Sequence, residues 1–179
     1  MSTALLIIDV QQALCTGEEA AFESDRVIER INTVAEKARA AGAAVVLIQH
    51  EEERGPLQFD SAGWQLAQGL VTTPGDLRVR KATPDSFHRT DLIQRLQERE
   101  ISRLLICGLQ SDFCVDTTTR RALALGYEVV LVADAHSTVD NGVLSAAQIT
   151  AHHNATLANM TSFGKRAVVV PAAEVQIEA

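Results

Sequence analysis

The chain has 179 residues, 46% of them hydrophobic and 22% charged, with 23 acidic against 16 basic side chains and a net charge of −7. That length suits one domain, 1–179, with a core that needs no staples, and the composition excludes a disordered chain. The acidic balance argues against nucleic-acid and anionic-membrane partners, and the apolar stretches are strand-length, far short of a membrane span.

Strand and helix patterns alternate along the chain. Ala4–Ile8 is a continuous apolar run of the kind shown by strands buried on both faces. Asp25 to Ala41 reads as a helix, with Val27, Ile28, Ile31, Val34, Ala35 and Ala38 on one stripe and Gly42 as its stop. A second strand, Ala43 to Gln49, leads into an aperiodic excursion from Glu51 to Asp76. Loops of that length in a compact domain are usually functional. A short strand follows at Leu77 to Arg80, then a helix from about Asp91 to Arg99 with Thr90 as its cap. Next come a strand, Arg103 to Cys107, a helix opening near Cys114 and running to Leu125, and a strand from Glu128 to Val132. Ser145 and Gln148 form the pattern of a capping box for a helix reaching Asn159, and Ala167 to Val170 is the last strand. Six strands with helical crossovers predict a three-layer α/β/α sandwich around a mainly parallel, Rossmann-like sheet. No glycine-rich phosphate loop is present, so that layout implies no nucleotide.

Three cysteines, Cys15, Cys107 and Cys114, are too few and too unevenly spaced for a disulfide framework. No charged-then-apolar leader precedes the first strand, so a reduced cytoplasm is the expected compartment. Cys107 reads as a small buried hydrophobe, and Cys15 lacks a charged helper. Cys114 differs because it lies where a strand gives way to a helix, and N–H groups at a helix N-terminus favour a thiolate. Asp9 ends the first strand and Lys81 follows the third. In an open parallel sheet such strand ends converge on one crevice. A lysine there would lower the thiol pKa while Asp9 takes or holds the proton, which is the chemistry of a hydrolase. An activated thiol of this kind is expected to alkylate well below the usual thiol pKa. Trp64, the only tryptophan, is read as a pocket wall that can stack on substrate, against the alternative that it plugs the excursion onto the domain. His136 is read as a structural hydrogen-bonding residue, and His50 as part of a solvated acidic loop able to reach the crevice.

Four segments together resemble the isochorismatase-like cysteine hydrolases, the superfamily that also holds nicotinamidases and N-carbamoylsarcosine amidohydrolases. They are Leu-Ile-Ile-Asp-Val-Gln at 6–11, Lys81 with Ser86-Phe87, Gly-Leu-Gln-Ser-Asp-Phe-Cys-Val at 108–115, and Val-Ala-Asp-Ala-His at 132–136. The resemblance covers essentially the whole chain. It implies an isochorismatase-like hydrolase fold, a catalytic triad of Asp9, Lys81 and Cys114, and a cis peptide between Leu109 and Gln110. It also implies an oxyanion hole formed by the N–H groups of Gln110 and Cys114. Gln11, Trp64, Phe87 and Phe113 are expected to contact substrate. Relatives that bind a metal carry an Asp-x-His motif after the second strand. Gln49-His50-Glu51-Glu52-Glu53 stands there instead, so no metal and no cofactor are expected. Leu14 replaces a phenylalanine common in relatives, which alters one pocket wall. Vinyl-ether hydrolysis of the isochorismatase type proceeds without the cysteine, so retaining Cys114 points to amides or related C–N bonds of a small molecule. The alternatives are a metabolite- or partner-binding protein on the same scaffold, and a vinyl-ether hydrolase. A homo-oligomer, dimer or tetramer, is implied by the resemblance.

Overall fold

Two alternating sets of apolar side chains build the molecule. In the computed structural model, which describes residues 2–177, β1 (Thr3–Ile8), β2 (Ala44–His50), β3 (Leu77–Lys81), β4 (Arg103–Leu109), β5 (Glu128–Ser137) and β6 (Val168–Val170) form one sheet. The ends of the expected 1–179 unit, Met1 and residues 178–179, lie outside the described residues. Strand order is β3-β2-β1-β4-β5-β6 and every pairing is parallel. Leu5, Ile7, Val45, Leu47, Leu105 and Cys107 point to one face, and Leu6, Ile8, Val46, Ile48, Leu104 and Ile106 to the other. Side chains alternate across a strand, so a strand covered on both faces is apolar throughout. This is the α/β/α sandwich expected from the sequence, with the sheet wholly rather than mainly parallel.

The first face is covered by α2 (Ser24–Ala40), whose buried residues Val27, Ile28, Ile31, Val34, Ala35 and Ala38 are the stripe read from the sequence. Each large aliphatic residue in that stripe contributes roughly 1.5–3 kcal/mol by leaving water. Gly42, at φ 71°, ends the helix, and the Ala43 N–H closes back onto the Ala38 carbonyl at 2.9 Å. The second face is covered by α3 (Leu92–Gln97), α4 (Asp116–Ala124) and α5 (Ala146–Asn159). Thr90 accepts from the Leu92 N–H at 3.3 Å, and the Ser145–Gln148 capping box is formed in full. A short helix not read from the sequence, α1 (Gln12–Cys15), follows β1. No helix among the described residues is long and apolar enough to cross a membrane.

Strand order reverses between β1 and β4, and this switch point positions the site. Ile8 pairs with Gly108 in register, and a Cβ on Gly108 would lie 2.1 Å from the Ile8 carbonyl oxygen. Only glycine fits there, and its φ of 116° is open to glycine alone. The Leu109–Gln110 peptide beyond it is cis. The chain then enters a π-helical turn, Ser111–Val115, before α4 begins. Cys114 therefore lies inside that turn, and the α-helix expected to open near it begins two residues later, at Asp116.

Candidate active site

Each strand end delivers one polar group to the same hollow. Asp9 follows β1 in the left-handed region at φ 52°, a conformation Asp tolerates better than most residues. His50 ends β2 and Lys81 ends β3, paired in register with each other. Gln110 and Cys114 follow β4. The hollow, about 260 Å³, is lined by Asp9, Leu14, His50, Glu52, Leu57, Pro84, Gln110, Phe113 and Cys114.

The Lys81 ammonium holds these groups together. Its side chain is wholly buried, and Nζ lies 2.6 Å from Asp9 Oδ2, 3.2 Å from Cys114 Sγ, 3.3 Å from His50 Nδ1 and 3.1 Å from the Thr83 carbonyl. A buried ion pair offsets its desolvation only when its remaining donors are used, and here they are. Asp9 Oδ1 is buried without a hydrogen-bond partner among the described residues, so one carboxylate oxygen is held and the other is open.

Electrostatics correct one expectation. Burial, then the Asp9 carboxylate, push the Cys114 thiol up to about 12, against the lowering influence of Lys81. Burial and a neighbouring carboxylate both oppose a further negative charge there, so they favour the protonated thiol. Alkylation of Cys114 by iodoacetamide is therefore expected to be slower at pH 7 than that of a free thiol, and still rising past pH 9. Peptide mass mapping of the time course would contradict this if the rate levels off below pH 7. Cys15 and Cys107 serve as buried controls, both with thiols pushed up by burial.

His50 is the residue sequence reasoning underrated. Burial first and the neighbouring Lys81 second hold its imidazole below the usual range, so it is neutral and its Nδ1 accepts from the ammonium. Its place at a strand end, beside Lys81 in register, was the available signal. Asp9, His50 and Cys114 each present an atom within 4.8 Å of the other two, a set of donors that could hold a metal ion. The Lys81 ammonium, within hydrogen-bonding reach of all three, already supplies a cation to that set.

The substrate contacts expected from the sequence divide. Phe113 is half exposed and lines the hollow. Phe87 does not: it is buried in the second-face core and stacks on Tyr127 with centroids 6.1 Å apart, where its apolar ring is better accommodated. Gln11 is fully buried and clamps β2 to the excursion, donating to the His50 and Trp64 carbonyls and accepting from the His50 N–H. Trp64 plugs the excursion onto the domain, its ring edge-to-face on Phe59 at 4.9 Å, and it is absent from the hollow's lining. Leu14 does form part of the wall.

The Ser111–Val115 turn is braced from behind. β5 runs five residues past its expected end. Its register against β4 jumps from Ile106–Leu131 to Gly108–His136, which brings His136 under the turn. His136 Nδ1 meets Ser111 Oγ at 2.8 Å and Nε2 meets Asn154 Oδ1 at 2.9 Å, while Thr138 donates to Asp112 at 2.5 Å. The Asn154 amide donates to the Ala133 carbonyl, which leaves its oxygen to accept from His136 Nε2–H. His136 is thus a structural hydrogen-bonding residue, and burial pushes its imidazole down to about 4. The unfolded chain takes up this proton near pH 6.5 and the folded chain only near 4, so stability falls as pH drops through that window. The expected loss is about 2 kcal/mol, read by urea unfolding at pH 7 and 4.5 and flattened in His136→Gln.

Comparison with known proteins gives the family of the chain. The family model for the isochorismatase domain matches residues 3–173. Two streptothricin hydrolases from Streptomyces noursei are 40% identical over 138 residues, 76% of this chain and 55% and 50% of theirs, so the chain spans about half the length of these relatives. The ureidoacrylate amidohydrolase of Stutzerimonas stutzeri is 28% identical over 74% of this chain and 68% of its own. The crystal structure of an isochorismatase from Pseudomonas putida KT2440 superposes with a TM-score of 0.88 at 31% identity, covering 97% of this chain and 90% of that one.

Proposed function

This chain belongs to the isochorismatase family, and from that premise we propose that it is a cysteine hydrolase cleaving an amide or related C–N bond of a small molecule. The observation that carries the reading is the Lys81 ammonium, 2.6 Å from the Asp9 carboxylate and 3.2 Å from the Cys114 sulfur at the floor of one hollow. Similarity to hydrolases named for streptothricin and ureidoacrylate supports it.

The open Asp9 oxygen accepts the thiol proton as sulfur attacks the substrate carbonyl, and Lys81 stabilises the charge that develops on sulfur. The carbonyl oxygen becomes an oxyanion facing the N–H groups of Gln110 and Cys114; one such donor is worth about 3 kcal/mol. The C–N bond breaks, Asp9 returns the proton to the departing nitrogen, and the acyl group remains on sulfur as a thioester. Water attacks that carbonyl and gives a proton to Asp9. The C–S bond then breaks, sulfur is reprotonated and the acid leaves. A thiol that is neutral at rest suits this order, because its proton moves only when an electrophile is present.

The test is a panel of primary amides, N-carbamoyl compounds, lactams and a vinyl ether, offered to the wild-type protein and to Cys114→Ala. Release of ammonia or amine from the C–N class by the wild type alone is the expected result. Turnover of the vinyl ether only, retained without the thiol, would contradict it and favour Asp9 as a lone acid.

A further inference from the structure

His50 stands in the hollow beside Cys114, yet no step of the hydrolysis uses it. It ends β2, and its backbone is held from both sides by the Gln11 side chain, which accepts from the His50 N–H at 2.8 Å and donates to the His50 carbonyl at 3.0 Å. Gln11 is fully buried, so this clamp belongs to the core and fixes where the imidazole stands. A ring nitrogen of His50, an oxygen of Asp9 and the Cys114 sulfur all lie within 4.8 Å of one another. A molecule small enough to reach the sulfur therefore also reaches the ring.

A neighbour sets the chemistry of that ring. His50 Nδ1 lies 3.3 Å from Lys81 Nζ, and an ammonium offers only donors. Nδ1 is therefore the acceptor, and the neutral imidazole carries its proton on Nε2. Nε2 makes no hydrogen bond among the described residues and is not a buried atom, so its N–H is available to a ligand. The same geometry removes the other familiar role of a histidine beside a cysteine. A base needs a bare ring nitrogen, and here one is taken by the ammonium while the other carries the proton. Donors are few elsewhere in the hollow. Leu14, Leu57, Pro84 and Phe113 are apolar and Asp9 and Glu52 carry carboxylates, which leaves the Gln110 amide.

We infer that His50 is a substrate-recognition residue, a fixed Nε2–H donor for an acceptor atom two bonds from the carbon that Cys114 attacks, such as the α-oxygen of a 2-oxo or 2-alkoxy amide. A donor held in place rejects an analogue that lacks the acceptor, because the N–H is then left unpaired. This rests on the cysteine-hydrolase reading and names a group the substrate carries, which that reading leaves open.

The test uses Cys114 itself as the probe and needs no turnover. Its alkylation by iodoacetamide, whose carbonyl oxygen lies two bonds from the attacked carbon, is compared at one pH with alkylation by methallyl iodide, the apolar isostere. Rates are read by intact mass and peptide mapping, and their ratio is free of the thiolate fraction, which both reagents share. The ratio is expected to fall about fivefold in His50→Leu and to stay within about twofold of the wild type in His50→Gln, which keeps an acceptor for Lys81 and a donor for the ligand. A ratio unmoved in His50→Leu, or falling equally in both variants, overturns the inference. Long-range proton–nitrogen NMR spectra of histidine-labelled wild type at pH 7 are expected to place the His50 proton on Nε2, with His50→Gln assigning its signals. A proton on Nδ1 overturns the inference as well, and this readout stands even where His50→Leu does not fold. Failure of the hydrolase reading appears elsewhere, as undiminished turnover in Cys114→Ala, so the two are read separately.

Discussion

Cys114→Ala is expected to lower turnover of a C–N substrate by at least about a thousandfold while leaving the urea midpoint within error of the wild type. Removal of a catalytic nucleophile alone disables the whole constellation, and the residual rate comes from binding and oxyanion stabilisation. The fold should tolerate the change because Cys114 is only partly buried and its turn is fixed by other residues. His136 holds Ser111, Thr138 holds Asp112, and the Val115 N–H bonds the Gln110 carbonyl. Steady-state kinetics beside circular dichroism separates lost chemistry from lost structure.

Lys81→Met is expected to act on both at once. The substitution leaves the Asp9 carboxylate, 1% exposed, without its 2.6 Å partner. Breaking a buried pair from one side typically costs about 3–5 kcal/mol, because the remaining charge has neither water nor a counter-ion. Activity should also fall, at least about a hundredfold, since nothing then stabilises charge on sulfur. The double variant Asp9→Leu/Lys81→Met separates these effects. It removes both charges, so stability should recover relative to Lys81→Met, whereas activity should not. Urea midpoints of the four proteins in the cycle measure the coupling. A Lys81→Met protein as stable as the wild type would mean that the pair is wetter than its burial indicates.

Much of this arrangement was legible in the residues, for reasons that can be named. Buried parallel strands are apolar throughout, so Ala4–Ile8 and Arg103–Cys107 stood out, and the polar residue ending such a run stood out with them. Asp9, Lys81 and Cys114 follow three different strands, and a parallel sheet gathers those ends whatever their separation in sequence. Capping and stop signals placed α2 and α5 to within a residue or so because they rest on local chemistry.

What stayed hidden depends on contacts between distant segments. The five added residues of β5 carry a polar Asp134, His136 and Ser137, and only the irregular register against Gly108 makes them strand. Phe87 follows Lys81 closely enough to suggest the pocket, yet its ring turns inward onto Tyr127. Trp64 and Gln11 bind the excursion to β1 and β2 rather than facing ligand. The state of the thiol was also beyond sequence. A cysteine beside a helix start suggests a thiolate, but burial and the Asp9 carboxylate outweigh Lys81 in the free hollow.

The account turns on covalent capture at one sulfur. Rapid acid quench during turnover of a slowly released amide, followed by intact-mass analysis and peptide mapping, reads it directly. The expected spectrum shows one acyl increment, formed at least as fast as amine is released and confined to the peptide bearing Cys114. Amine accumulating while the protein mass stays unmodified from the first turnover, or the increment lying on any other residue, would contradict it.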